Sequence, residues 1–154
     1  MGKMTLYEVK GTLMQCCGQS HIRHSFFIEE DLESLHMQLN YDRSWIPEEE
    51  AKKQVFDCFL QFTSNYSPKT VEALQESWMM FRDVRNLVTL SLDDNEGFRG
   101  ASHRGKEDVR ISILPDSASE GYIKGIIPKG TVSVTISVHA LVKDCPYHFV
   151  VETD

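Results

Sequence analysis

Residues 91–105, SLDDNEGFRGASHRG, gather three carboxylates, two arginines, a histidine and three glycines in one short stretch. Asp93, Asp94 and Asn95 are consecutive oxygen donors of the kind that suit a hard cation such as calcium. The twelve-residue calcium-loop pattern is incomplete, because Gly97 stands where a third donor is needed and no distal glutamate follows in register. The other reading is a turn in which Asp and Asn side chains hold backbone N–H groups and Gly97 takes a positive φ. Arg99, between Phe98 and Gly100, could grip a carboxylate or phosphate through its planar fork. It could equally be tied within its own turn to Asp93, Asp94 or Glu96.

Histidines offer a second route to chemistry. His103 lies in the same stretch and His139 closes a long apolar-polar alternation. Together with Asp93 or Asp94 they would make a metal-dependent hydrolase if the fold brought them to one point, at about 2.0–2.6 Å from a shared ion. His21 and His24 are three apart in an extended segment, so they face opposite sides of it. His36 and His148 fall on the polar beat of their strands and are expected at solvent or at a sheet edge. No H-x-H, H-E-x-x-H or nucleophile-elbow pattern is present. Cys16, Cys17, Cys58 and Cys145 show neither C-x-x-C nor zinc-like spacing, so free thiols are expected. In GYIKGIIPKG, Tyr122 either lines the rim of a ligand groove or, with Ile123 and Ile126, caps an open end of the core.

Strict alternation marks the elements that would carry these residues. Leu35, Met37, Leu39 and Tyr41 alternate with polar residues, as do Val88, Leu90 and Leu92, then Val109, Ile111 and Ile113. Val132, Val134, Ile136 and Val138 continue the pattern, followed by Tyr147, Phe149 and Val151. Weaker alternation covers 5–14 and 21–28. Between 47 and 85 the period lengthens. Ala51, Val55, Phe59 and Phe62 predict a helix of about 16 residues, with Pro47 at its first position and Glu48, Glu49 and Glu50 favourable at its N-terminus. Val71, Leu74, Trp78 and Phe81 predict a second helix, started by Ser67-Pro68 or Thr70. Short strands without β-α-β alternation predict a mainly β fold: a two-sheet antiparallel β-sandwich, jelly-roll-like, with an α-helical hairpin inserted. An α+β sheet covered by two helices is the alternative. The Gly/Pro/Ser-rich stretch 115–130 is expected to join strands in different sheets.

A chain of 154 residues suits one domain, 1–154, with 47–85 as the helical insertion. Hydrophobic content of 41% and charged content of 25% fit a folded globular chain, and the longest apolar runs fall far short of the roughly 20 residues a bilayer-spanning helix needs. A net charge of −7 with scattered basic residues leaves no electrostatic footprint for nucleic acid. MGKMTLYEVKGTLM lacks the apolar core of a secretory signal, so a cytoplasmic location is expected.

The stretch NLVTLSLDDNEGFRGASHRG, followed at a distance by SEGYIKGIIPKGTVSVTISVHALV and then CPYHFVVE, resembles the β-sandwich domain that precedes the catalytic domain in some bacterial PHP-superfamily metal-dependent phosphoesterases. The same domain is also found as short free-standing proteins. The family pattern is D-x-x-G-F-R-G, then P-G-Y-x-x-G-x-[IL]-P-x-G-x-[WY], and the likeness covers about two thirds of this chain. Glu120 stands where proline is usual, and Val132-Ser133 where an aromatic is common, which removes a stacking surface that sugar binding would want. The resemblance implies a fold and no active site, since the histidine and aspartate clusters of the PHP catalytic domain are absent.

Three functions remain open from sequence. One is a non-catalytic binding or protein-interaction module, with Asp93, Asp94, Arg99, His103 and Tyr122 shaping the loops that meet a protein or small-molecule ligand. No cofactor is expected in it, with calcium at Asp93, Asp94 and Asn95 the open alternative. The second is the metal-dependent hydrolase just described. The third is a self-associating module, a homodimer held by sheet edges or by the apolar Trp78, Met79 and Met80.

Overall fold

The computed structural model describes residues 2–103 and 109–154. Arg104 and Gly105, at the end of the charged stretch, lie outside the described residues. Two compact units are present: Met1–Asp42 with Leu87–Asp154, and Arg43–Asn86.

The first unit is an antiparallel sandwich. Among the described residues its strands are β1 (Met4–Leu13), β2 (Ser20–Ile28), β3 (Leu35–Tyr41), β4 (Leu87–Asp94), β5 (Gly97–Ala101), β6 (Val109–Ile113), β7 (Gly130–Ala140) and β8 (Cys145–Thr153). One sheet runs β1-β8-β3-β6 and the other β2-β7-β4-β5. The chain therefore changes sheet at every connection except the β4–β5 hairpin, which is the winding of an eight-stranded jelly roll. The stretch 115–130 joins β6 to β7 across the two sheets, as its composition predicts.

Alternation decides what the sheets bury. Leu35, Met37 and Leu39 of β3, Ile111 and Ile113 of β6, and Phe149 and Val151 of β8 face Val88, Leu90 and Leu92 of β4 and Val132, Val134, Ile136 and Val138 of β7. All are at most 4% exposed, and each such side chain contributes about 1.5–3 kcal/mol relative to an exposed position.

In the second unit α1 (Glu48–Phe62) buries Ala51 and Val55, with Glu48, Glu49 and Glu50 in its first turn. Pro47 sits just before the helix at its N-cap rather than inside its first turn. The second helix, α2 (Pro68–Glu76), starts where Ser67 caps it by accepting from Thr70 N–H at 3.2 Å. It is shorter than the spacing predicts, because Trp78–Phe81 tightens into a 3-10 turn. Ring contacts of Phe59 with Phe56 (6.2 Å) and Phe81 (5.5 Å, edge-on), and Arg85 over Trp45 at 4.2 Å, hold this small unit together. Among the described residues no helix is long and apolar enough to cross a membrane.

Candidate functional site

The charged stretch is a hairpin, not a loop. β4 continues through Asp94, Asn95 and Glu96 make the turn, and GFRGA returns as β5. The inward beat Val88, Leu90, Leu92 continues to Asp94, so its carboxylate is carried into the end of the sandwich, whereas Asp93 faces outward. The two adjacent aspartates thus meet different surroundings. Asp93 pairs across the outer face with Arg23 of β2 at 3.3 Å. The Asp94 side chain is 0% exposed, and its Oδ1 accepts from Glu96 N–H at 2.8 Å and Gly97 N–H at 3.1 Å, closing the turn. Gly97 has φ +129°, and Asn95 is turned toward Gly130. Asp93, Asp94 and Asn95 do not converge on a common point.

Pairing between β4 and β5 shifts register after Leu92, so that Leu92 opposes Gly100 and Asp93 opposes Phe98. Arg99 is the extra residue of this bulge. Bulges re-aim side chains, and here Phe98 is left exposed while Arg99 turns inward to 10% side-chain exposure. Its Nη1 donates to Asp94 Oδ2 at 2.8 Å and to the Ile126 carbonyl at 3.1 Å, and its Nη2 donates to the Ile123 and Gly125 carbonyls, both at 3.1 Å. The guanidinium therefore fastens residues 123–126 to the hairpin. Its outer nitrogens are occupied by the protein itself, and its Nε is buried without a partner among the described residues.

The glycines complete the fastening. Ala101 N–H donates to the Gly121 carbonyl at 3.0 Å and Ile123 N–H to the Arg99 carbonyl at 2.8 Å. At this crossing a Cβ on Gly100 would lie 2.2 Å from the Gly121 oxygen, and one on Gly121 would lie 2.4 Å from the Ala101 oxygen. Both have positive φ, +135° and +88°. Tyr122 packs beside the crossing and donates its hydroxyl to the Leu90 carbonyl at 3.0 Å. Burial pushes its hydroxyl pKa up to about 12. Tyr122 packs on the core as a cap, whereas Ile123 and Ile126, expected to cap it as well, are 56% and 50% exposed. The residues shared by the two halves of the motif are thus a backbone clamp.

The hydrolase constellation does not assemble. His139 donates to or accepts from Thr89 Oγ1 at 2.8 Å, near the start of β4, while Asp93 opposes Ser133 at its other end. Ser133 and His139 are six residue steps apart along β7, about 20 Å at strand rise. His103 is exposed just beyond β5. Among the described residues no group of three or more His, Cys, Asp or Glu side chains is placed to hold a metal ion. That includes the carboxylates of Glu30, Asp31, Glu33, Asp116 and Asp154 around an open cleft of about 520 Å³ at one end of the sandwich.

His36 and His148 lie on the outer face, paired with Asp154 at 3.0 Å and with Glu8 at 2.7 Å. His21 faces out, whereas His24 turns inward between the edges of the two sheets. Its Nδ1 is 3.0 Å from the Tyr7 hydroxyl, Tyr7 stacks on Phe26 at 5.2 Å, and the buried Nε2 has no partner among the described residues. Burial lowers the His24 pKa. Sequence reasoning separates His21 from His24 by face but does not find the aromatic cluster, whose members come from β1, β2 and β8. The weak alternation of Tyr7 and Phe26 is its trace in the sequence.

No family model matches the chain, and no curated protein matches it. Among solved structures, GEBA250068378 from Sulfurospirillum deleyianum matches at 10% identity over 94% of this chain and 96% of that one, with a TM-score of 0.32. A likeness at that level carries no argument about function.

Proposed function

We propose that the protein is a non-catalytic interaction module, with the jelly roll as a rigid frame and its outward apolar side chains and free strand edges as the working surface. The observation that supports this is how the side chains divide. The charged residues best suited to chemistry, Asp94 and Arg99, are occupied with each other and with backbone, whereas large apolar side chains face solvent. Phe27 is 68% exposed on the sandwich, and Met80, Leu60 and Phe62 are 82%, 68% and 65% exposed on the helical unit. Contiguous exposed apolar surface is where another molecule docks, and these side chains are the apolar surface this chain offers. The resemblance to the accessory sandwich of PHP-type phosphoesterases, which implies a fold without an active site, agrees with a non-catalytic reading.

The test is a panel of phosphoester and glycoside substrates assayed with calcium, zinc and manganese, beside the solution mass of the same sample. Absence of turnover with a mass above that of one chain supports the module. Turnover lost in His103→Ala, His139→Ala or Asp93→Asn would overturn it in favour of a hydrolase.

A further inference from the structure

The two flanks of the sandwich are finished differently. On one flank the edges are β5 and β6, and the connection after β6 covers both. Ile113 bridges Ala118 and Ser119 N–H donates to the Ser112 carbonyl along β6, while Gly100 bridges Tyr122 and Ala101 pairs with Gly121 along β5. On the other flank the edges are β1 and β2, held face to face by Tyr7 against His24 and Phe26. There β1 carries the devices that discourage a further strand: a bulge between Thr5 and Tyr7, and a charged residue at Glu8 and at Lys10. The neighbouring β2 has no bulge, and its single fixed charge, Arg23, is paired with Asp93 of its own sheet. It pairs with β7 over nine residues, Ser20–Ile28, without a register shift, and it contains no proline, lysine or carboxylate. Its outward side chains His21, Arg23, Ser25 and Phe27 are all exposed. At its end Met4, Leu6, Phe27, Ile28 and Leu32, with Glu29 and Glu30 beside them, line a cleft of about 310 Å³.

We infer that the β2 edge is a strand-pairing interface for a second copy of this chain, joining two four-stranded sheets into one continuous eight-stranded sheet. The inference rests on the interaction-module reading and names its partner. An edge strand presents unpaired N–H and C=O groups that template another strand, and a long, unbulged one does so best. The strand is self-complementary. Antiparallel pairing about a two-fold axis at His24 sets Arg23 opposite Ser25 and His21 opposite Phe27 of the second copy, with no like charges directly opposed. Such a contact closes on itself and stops at two chains. Charge does not oppose the same edge: in a chain of net −7, Ser20–Ile28 carries no carboxylate, and its one fixed charge, Arg23, is paired with Asp93.

The experiment is sedimentation of the whole chain across a concentration series, with hydrogen exchange on the same samples. The expected mass is twice the 17.7 kDa chain, with β2 amides more protected at high concentration than at low. Ser25→Lys with Phe27→Lys places charge on the outward beat and should weaken association about tenfold or more. Phe98→Lys, on the closed flank, should leave it unchanged. Hydrogen exchange on the unmodified protein decides the matter even if the lysine variant folds poorly. A dimer that survives the β2 variant and is broken by Phe62→Glu with Met80→Glu would overturn this interface while keeping the interaction-module reading. A monomer at every concentration, with β2 exchange independent of concentration, would also overturn the interface. Metal-dependent turnover in the assays above would remove the parent reading itself.

Discussion

Replacing Asp94 by alanine tests whether the charged hairpin is a clamp. The substitution leaves the Arg99 guanidinium, 10% exposed, without its carboxylate, and leaves Glu96 and Gly97 N–H without their acceptor. Removing one partner of a buried ion pair costs about 3–5 kcal/mol, and the lost turn acceptor about 1 kcal/mol more. For a chain of this size each kcal/mol lowers the melting temperature by about 2–4 °C, so Asp94→Ala should melt roughly 8–24 °C below the parent. Arg99→Met should be comparably severe, since it strands the buried carboxylate and three carbonyls. Arg99→Lys should recover little, because an ammonium lacks the planar fork that reaches Asp94 and the 123–126 carbonyls together. In the double variant neither charge remains, so the losses should fall short of additivity by about 1–3 kcal/mol. Thermal melts and guanidinium titrations of the four proteins measure this directly. A shift under about 2 °C for Asp94→Ala, or strict additivity, would refute the clamp.

Three further outcomes follow from the same geometry. Gly100→Ala combines positive-φ strain of about 1–3 kcal/mol with overpacking of similar size against the Gly121 carbonyl. Gly97→Ala, with the same kind of φ but open space around it, should cost the strain alone, and urea midpoints should rank them in that order. His24 is harder to protonate folded than unfolded, so it favours the native state above its ordinary pKa near 6.5, and that contribution falls away as pH drops below 6.5. His24→Leu should flatten this acid limb in unfolding titrations between pH 7.5 and 5.5, and an unchanged slope would reject the assignment. A thiol reagent should modify Cys16 and Cys58 rapidly in the native protein and Cys145 only on unfolding, because Cys145 is buried beside the Asp42 carbonyl. Mass spectrometry of timed samples distinguishes them.

Much of the frame is legible in the residues. Five strongly alternating stretches and two weaker ones match β1–β4 and β6–β8, and Ser67-Pro68 marks the start of α2. The strand that escapes is β5. Its five residues, GFRGA, include two glycines and no β-branched side chain, so Phe98 alone favours extended backbone locally. Its pairing with β4 on one side and with Gly121–Ile123 on the other makes it a strand. The second helix escapes in part for a related reason. The spacing of Trp78 and Phe81 suits a helix, yet the backbone tightens there into a 3-10 turn, a difference that side-chain periodicity does not register.

The candidate site divides along the same line. Alternation along β4 by itself determines the inward set Val88, Leu90 and Leu92, and the Asp-Asn-Gly composition that follows marks a turn with Gly97 at positive φ. These are properties of a single strand or turn, set by a period of two and by the missing Cβ. Only the tertiary structure decides that Arg99 is the bulged residue, that its partners include carbonyls 24–27 residues further along, and that His139 and Asp93 stand at opposite ends of one sheet pair. It also decides which edges the 114–123 segment closes and which it leaves free. Those outcomes depend on register and sheet order, which arise from contacts between segments far apart in the chain, and no local spacing of residues encodes them.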